Sequence, residues 1–117
     1  MANTFKVVTK AGVSSADVIY TVASSKTTVV LGLILGNVET TQIKTTVTLT
    51  SDTSSRAGNN DEDNQTVELL TNAPVPAGSS LEILSGNKVV LETGDSLSVT
   101  STGGNVDVTL SIMEIDT

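Results

Sequence analysis

The chain has 117 residues, with 13 acidic and 6 basic side chains and a net charge of −7. That length suits one domain with its own core. An acidic surface argues against binding nucleic-acid backbones or anionic membranes, which need positive charge. Cysteine and histidine are absent, so there is no disulfide, no thiolate metal site, and no Ser-His-Asp or Cys-His arrangement. With one Phe, one Tyr and no Trp, Val, Leu and Ile must build nearly all of the core.

The N-terminal stretch "MANTFKVVTKAG" shows no apolar signal-peptide region, and the expectation is a protein used without secretion. The most apolar run, "VVLGLILG", is eight residues long. A bilayer-spanning helix needs about 20.

In chain order, the pattern alternates with period two and shows almost no helical period. The 19 Thr and 14 Ser fit sheets with a wet face. Residues 1–4 could form a short arm. "FKVVTK", Phe5 to Lys10, reads as a first strand, and "DVIYTV", Asp17 to Val22, as a second. "TTVVLGLILGN", Thr27 to Asn37, is apolar on both phases. It predicts a central strand with Val29, Leu31, Leu33 and Leu35 on one face, and Val30, Gly32, Ile34 and Gly36 on the other. "IKTTVTLT", Ile43 to Thr50, is the cleanest half-buried strand. Ile43, Val47 and Leu49 are expected inside, with Lys44, Thr46, Thr48 and Thr50 outside.

Residues 51–65 form a long polar connection that contains "SSRAGNNDEDNQ". "TVELLT", Thr66 to Thr71, resumes a strand with Val67 and Leu69 on one face. Pro74 and Pro76 in "NAPVPAGSS" lack N–H donors, so that segment cannot be a central strand. It reads as a rigid bend guarding a sheet edge rather than a ligand of a proline-reading domain. Short strands follow at Leu81–Leu84, Lys88–Glu92, Ser96–Ser101 and Val106–Ile115, separated by turns at Gly86, Gly94 and Gly103. The sum is an all-β chain of eight or nine short strands. The expected fold is a single antiparallel β-sandwich over 1–117, jelly-roll or Ig-like.

Chemistry is sparse. A Ser-Lys pair would need a lysine out of water, and the five lysines sit at polar strand positions or beside turns. Glu92 with Asp95, or a pair from Asp61, Glu62 and Asp63, could mimic a glycosidase dyad, but sugar sites also use aromatic platforms. Asp61, Glu62 and Asp63 are a weak calcium candidate. They supply oxygens, yet lack EF-hand spacing, and neighbours in extended chain point to opposite sides. No phosphate-binding glycine motif occurs, and the basic residues are scattered without aromatic partners. The expectation is a protein without catalytic residues or cofactor. Arg56, Asp61, Glu62, Asp63, Pro74 and Pro76 are its candidate contact residues.

"IYTVASSKTTVVLGLILGNV", "VELLTNAPVPAGSSLEIL", "KVVLETGDSLSVTS" and "NVDVTLSIMEI" together resemble a group of small virion structural proteins of marine and cyanobacterial tailed bacteriophages. The resemblance covers Val18 to Ile115 and rests on hairpin and turn signatures. The insert 51–65 departs from it. The resemblance implies a particle component, made in the host cytoplasm and carried on the virion. Its leading form is a decoration (cement) protein on the major capsid protein lattice, with copies of itself as further partners and a trimer as the natural state. A neck, tail or fibre-associated protein is the alternative, and a receptor- or glycan-binding module is a third.

Overall fold

The computed structural model describes residues 2–52, 64–84 and 86–116. Among the described residues, nine strands run in order: β1 Asn3–Val13, β2 Asp17–Thr21, β3 Lys26–Asn37, β4 Ile43–Thr50, β5 Thr66–Val75, β6 Ser80–Glu82, β7 Val89–Leu91, β8 Ser96–Thr102 and β9 Val106–Asp116. Every strand pairing is antiparallel. Sheet A has the order β1-β9-β3-β6, with β7 also on β3, and sheet B has the order β2-β8-β4-β5. The first strand of the chain thus pairs with the last, β2 with β8, β3 with β6 and β7, and β4 with β5. This is one long hairpin rolled into two sheets, the jelly-roll solution of the sandwich. The connection 51–65 joins its two arms beyond the Thr50–Thr66 pair.

The inner faces form an aliphatic core. β9 contributes Val106, Val108, Leu110 and Ile112; β8 contributes Leu97 and Val99, and β4 contributes Ile43 and Val47. Strict alternation on β9 and β4 puts each of these on the covered side. Each fully buried Leu or Ile stabilises the fold by about 1.5–3 kcal/mol relative to exposure. Thr45, also fully buried, takes the same phase, and its hydroxyl donates to the Ala73 carbonyl at 3.3 Å.

Three strands depart from the expected pattern. In β3 the register with β9 slips between Val30 and Gly32, so Leu31 is an extra residue. Thr28 and Val30 point inward before this bulge, and Leu33, Leu35 and Asn37 after it. The bulge explains why both phases of the sequence are apolar, and it replaces the expected face Val29–Leu31–Leu33–Leu35. In β5 two slips put Leu70 against the core, while Val67 and Leu69 are exposed. Asn72, at φ 48°, marks this irregular stretch, and its N–H donates to the Thr46 hydroxyl. β5 then runs on through Pro74, which pairs with Lys44. Because β5 is an edge strand, the missing N–H leaves no broken ladder bond. Finally, β1 starts at Asn3, inside the expected arm, and only Val8 and Val13 of it are turned away from water.

Candidate docking face

On β9 the odd-numbered residues point away from the core, because Ile112 and Glu114 point into it. Directly opposed residues on antiparallel strands share a face. Phe5 opposes Met113, Met113 opposes Val29, and Val29 opposes Val90. One apolar row therefore crosses four strands on the outside of sheet A. A second row runs Val7, Ser111, Gly32, and a third runs Thr9, Thr109, Ile34, Glu82. Phe5 is 71% exposed, Val7 63%, Val90 61% and Ile34 42%. Contiguous apolar surface of this kind marks interaction sites on soluble proteins.

The outside of sheet B is its opposite. Lys44, Thr46, Thr48 and Thr50 of β4 stand against Thr102, Thr100, Ser98 and Ser96 of β8. These hydroxyls hydrogen-bond readily to water. The outer positions of β4 and β8 are thus hydroxyls and one lysine, with Val18 exposed beside Ser98 on β2, whereas the long apolar row lies on sheet A.

β1 contributes Phe5 and Val7 to this face, while Lys6 and Lys10 take the opposite phase, toward the core side. Lys6 Nζ lies 2.8 Å from Glu114 Oε1, and Lys10 Nζ lies 3.5 Å from Asp17 Oδ2. Glu114 is only 7% exposed. Its Oε2 accepts a 2.6 Å hydrogen bond from the Tyr20 hydroxyl, which also lies 2.7 Å from Thr28 Oγ1. The Lys6 ammonium, then the Tyr20 hydroxyl, hold the Glu114 carboxyl below its ordinary pKa. Its contribution to stability is thus present above the unfolded-state pKa and is lost as pH falls through the folded one. Lys26 and Asp116 close the same end of the sandwich as an ion pair.

Burial, then the bond to Glu114, pushes the Tyr20 phenol up to about 12. The folded state therefore holds this proton more tightly than the unfolded chain, whose phenol titrates near 10. Stability from this group is complete below about pH 10 and is lost as pH rises towards about 12. Tyr20 is the sole tyrosine and there is no tryptophan, so tyrosinate absorbance reports it alone. The expected titration midpoint is near 12 in the folded protein, falling to about 10 in urea. A midpoint near 10 in both would show that the Tyr20–Glu114 bond does not form.

The strand edges are less inviting than the faces. β1 carries lysines pointing to the core side and a bulge between Lys10 and Val13. β6 and β7 have three residues each, β2 has five with a bulge, and β5 carries Pro74. Each is a recognised guard against strand addition.

Of the residues singled out from sequence, Arg56, Asp61, Glu62 and Asp63 lie outside the described residues. Pro74 and Pro76 are exposed, at the free edge of sheet B and just beyond it, away from the apolar rows. The Pro76 carbonyl accepts the Ser79 N–H at 3.1 Å, which fixes the bend. Asp95 is buried as a turn staple. Its Oδ1 accepts the Asp52 N–H at 2.8 Å and its Oδ2 the Glu92 N–H at 2.9 Å. Gly94 supplies the φ of +89° that this turn needs. Among the described residues there is no pocket and no group of acidic residues able to hold a metal ion. The apolar rows were missed because an alternating Phe and Val strand normally buries its apolar side. The available signal was the lysine pair: Lys6 and Lys10 share a phase, and each has an acidic partner across the fold.

No family model matches the chain, and no curated protein does. A solved structure from work reporting that Bacillus endospore appendages form a novel family of disulfide-linked pili aligns with 97% of this chain and 84% of its own, at TM-score 0.51 and 14% identity. At that identity the likeness is one of fold. The chain is an antiparallel β-sandwich.

Proposed function

We propose that this protein is a non-enzymatic structural subunit that binds a large assembly, most specifically a decoration protein on a tailed-phage capsid. The observation that carries the reading is the four-strand apolar row on sheet A, set against the hydroxyl face of sheet B. A face-polarised sandwich lies flat on a partner and shows water its other side. The capsid setting comes from the sequence resemblance to phage virion proteins. The pilus likeness adds that a chain of similar fold comes from work on an assembling protein. The disulfide linkage named for those pili has no counterpart here, since cysteine is absent. Any assembly through the side chains of these residues therefore uses no disulfide.

Docking on the assembled lattice alone would stabilise it by mass action, by about 2.7 kcal/mol per site at a free concentration a hundred times Kd. Capsids supplied with the purified protein are thus expected to disassemble at higher temperature than bare ones. Quantitative mass spectrometry of particles is expected to count copies comparable to the major capsid protein. A handful per particle would move the protein to the neck or tail, and complete absence from particles would end the virion reading.

A further inference from the structure

Glu82 is the carboxylate that borders the apolar rows. Glu82 opposes Ile34 at the β6 edge, and its carboxylate reaches over Gly32. Its Oε1 is 3.9 Å from where a Gly32 side chain would begin. The gap left by glycine lets the carboxylate lie against the sheet beside Ile34. Among the described residues it has neither an ion pair nor a hydrogen bond. The other charged residue at a paired outer position of sheet A is Asp107, whose Oδ1 accepts the Gly12 N–H at 2.9 Å.

No lysine occupies a paired position on that face. Lys6 and Lys10 point to the core side, Lys26 pairs with Asp116, Lys44 lies on sheet B, and Lys88 precedes β7 outside the ladder. Among the described residues, the paired outer positions of sheet A thus carry the carboxylates of Glu82 and Asp107 and no lysine, while Arg56 lies outside the described residues. A second copy laid face to face would bring carboxylates against carboxylates, between chains each of net charge −7. An anionic membrane would be repelled for the same reason.

We infer that the outer face of sheet A docks a different protein, one whose contact surface pairs an apolar patch for Phe5 and Val7 with an arginine or lysine opposite Glu82. The inference rests on the proposed structural role and names the chemistry of its partner surface. Phe5 supplies the buried anchor, and Glu82 sets orientation and selects the partner. A carboxylate sealed against a guanidinium at the edge of an apolar contact gains strength from the lost water, while an uncharged or acidic surface there leaves it stranded.

The test uses two probes. In the first, the labelled protein is titrated with an amphipathic peptide bearing leucines on one face flanked by arginines, and with its twin bearing glutamates. Methyl resonances of Val7, Val29, Ile34 and Val90 are expected to shift with the arginine peptide and stay still with the glutamate peptide. Glu82→Lys is expected to weaken that binding about tenfold or more, the equivalent of one charge-assisted hydrogen bond, and Phe5→Ser by a similar factor. Thr48→Lys, on the wet face, is expected to change it little.

Equal binding of both peptides, or shifts confined to sheet B or to the 51–65 connection, would overturn the inference. So would sedimentation showing self-association that Phe5→Ser abolishes, which would give the face to a second copy. The second probe is capsids. Capsids that do not bind the wild-type protein would end the decoration reading, whereas the peptide titration judges the face on its own.

Discussion

Val47→Asp is expected to leave the chain unfolded. Val47 is fully buried in β4, opposite Val99 of β8 and Leu70 of β5. No cation lies at those positions to receive a carboxylate. Desolvating an unpaired ion costs several kcal/mol, and the lost Val packing adds about 1.5–3 kcal/mol. A domain's whole stability is about 5–15 kcal/mol, so this one change removes most or all of it. Circular dichroism and urea unfolding read the outcome. Thr48→Asp provides the control. Its side chain points to the hydroxyl face, opposite Ser98 and Glu68, and the expected loss is about 1 kcal/mol, from strand propensity and the like charge of Glu68. If both variants unfold, the two faces of sheet B are not as different as their residues indicate.

Asn37→Ala should be the most damaging loss of a neutral polar side chain. Asn37 ends β3, is 4% exposed, and uses all of its amide. Its Nδ2 donates to the Thr41 and Val75 carbonyls, each at 2.9 Å, and its Oδ1 accepts the Glu39 N–H at 2.8 Å. One side chain thus ties the corner between β3 and β4 to the end of β5. Truncation strands up to three backbone groups, at about 1–3 kcal/mol for each that water cannot reach. The Val75 carbonyl is the worst placed, because Val75 is fully buried. The expected total is about 3–5 kcal/mol, seen as an earlier urea midpoint with an unchanged slope. Asn37→Asp should do at least as much harm, since its carboxylate would face two carbonyl oxygens. A loss below about 1 kcal/mol would mean that the amide bonds are made by water in the unmutated protein too.

How far the sequence could be read follows from particular strands. β4 was legible to the residue, Ile43 to Thr50, because a half-buried central strand obeys strict alternation. The two-sheet architecture was legible from turn spacing, although the jelly-roll and Ig-like windings remained alternatives. Which one forms depends on long-range pairings such as Asn3 with Ile115, and no local pattern records these. β3 was legible as an element but not in phase, since a single inserted Leu31 exchanges its faces. The apolar rows were hidden by the same ambiguity. Phe5 and Val7 look like core residues until Lys6 is seen to need Glu114. The acidic segment stands out by composition, whereas the apolar rows come from five strands spread along the chain, and only the fold aligns them.

The position of β9 has a further consequence, for the order of events during synthesis. β9 is the neighbour of both β1 and β3, so the middle of sheet A is formed by residues 106–116. Until those residues leave the ribosome, Val30, Leu33 and Leu35 have no sheet partner on that side, and Lys6 has no Glu114. The chain must then bring together residues as far apart as Asn37 and Val106 to start the β3–β9 ladder, and Asn3 and Ile115 to finish the β1–β9 one. Topologies dominated by such distant pairings fold in milliseconds to seconds rather than microseconds. Over that interval the apolar strands are open to the wrong neighbours, and the like charge of the copies is what keeps them apart.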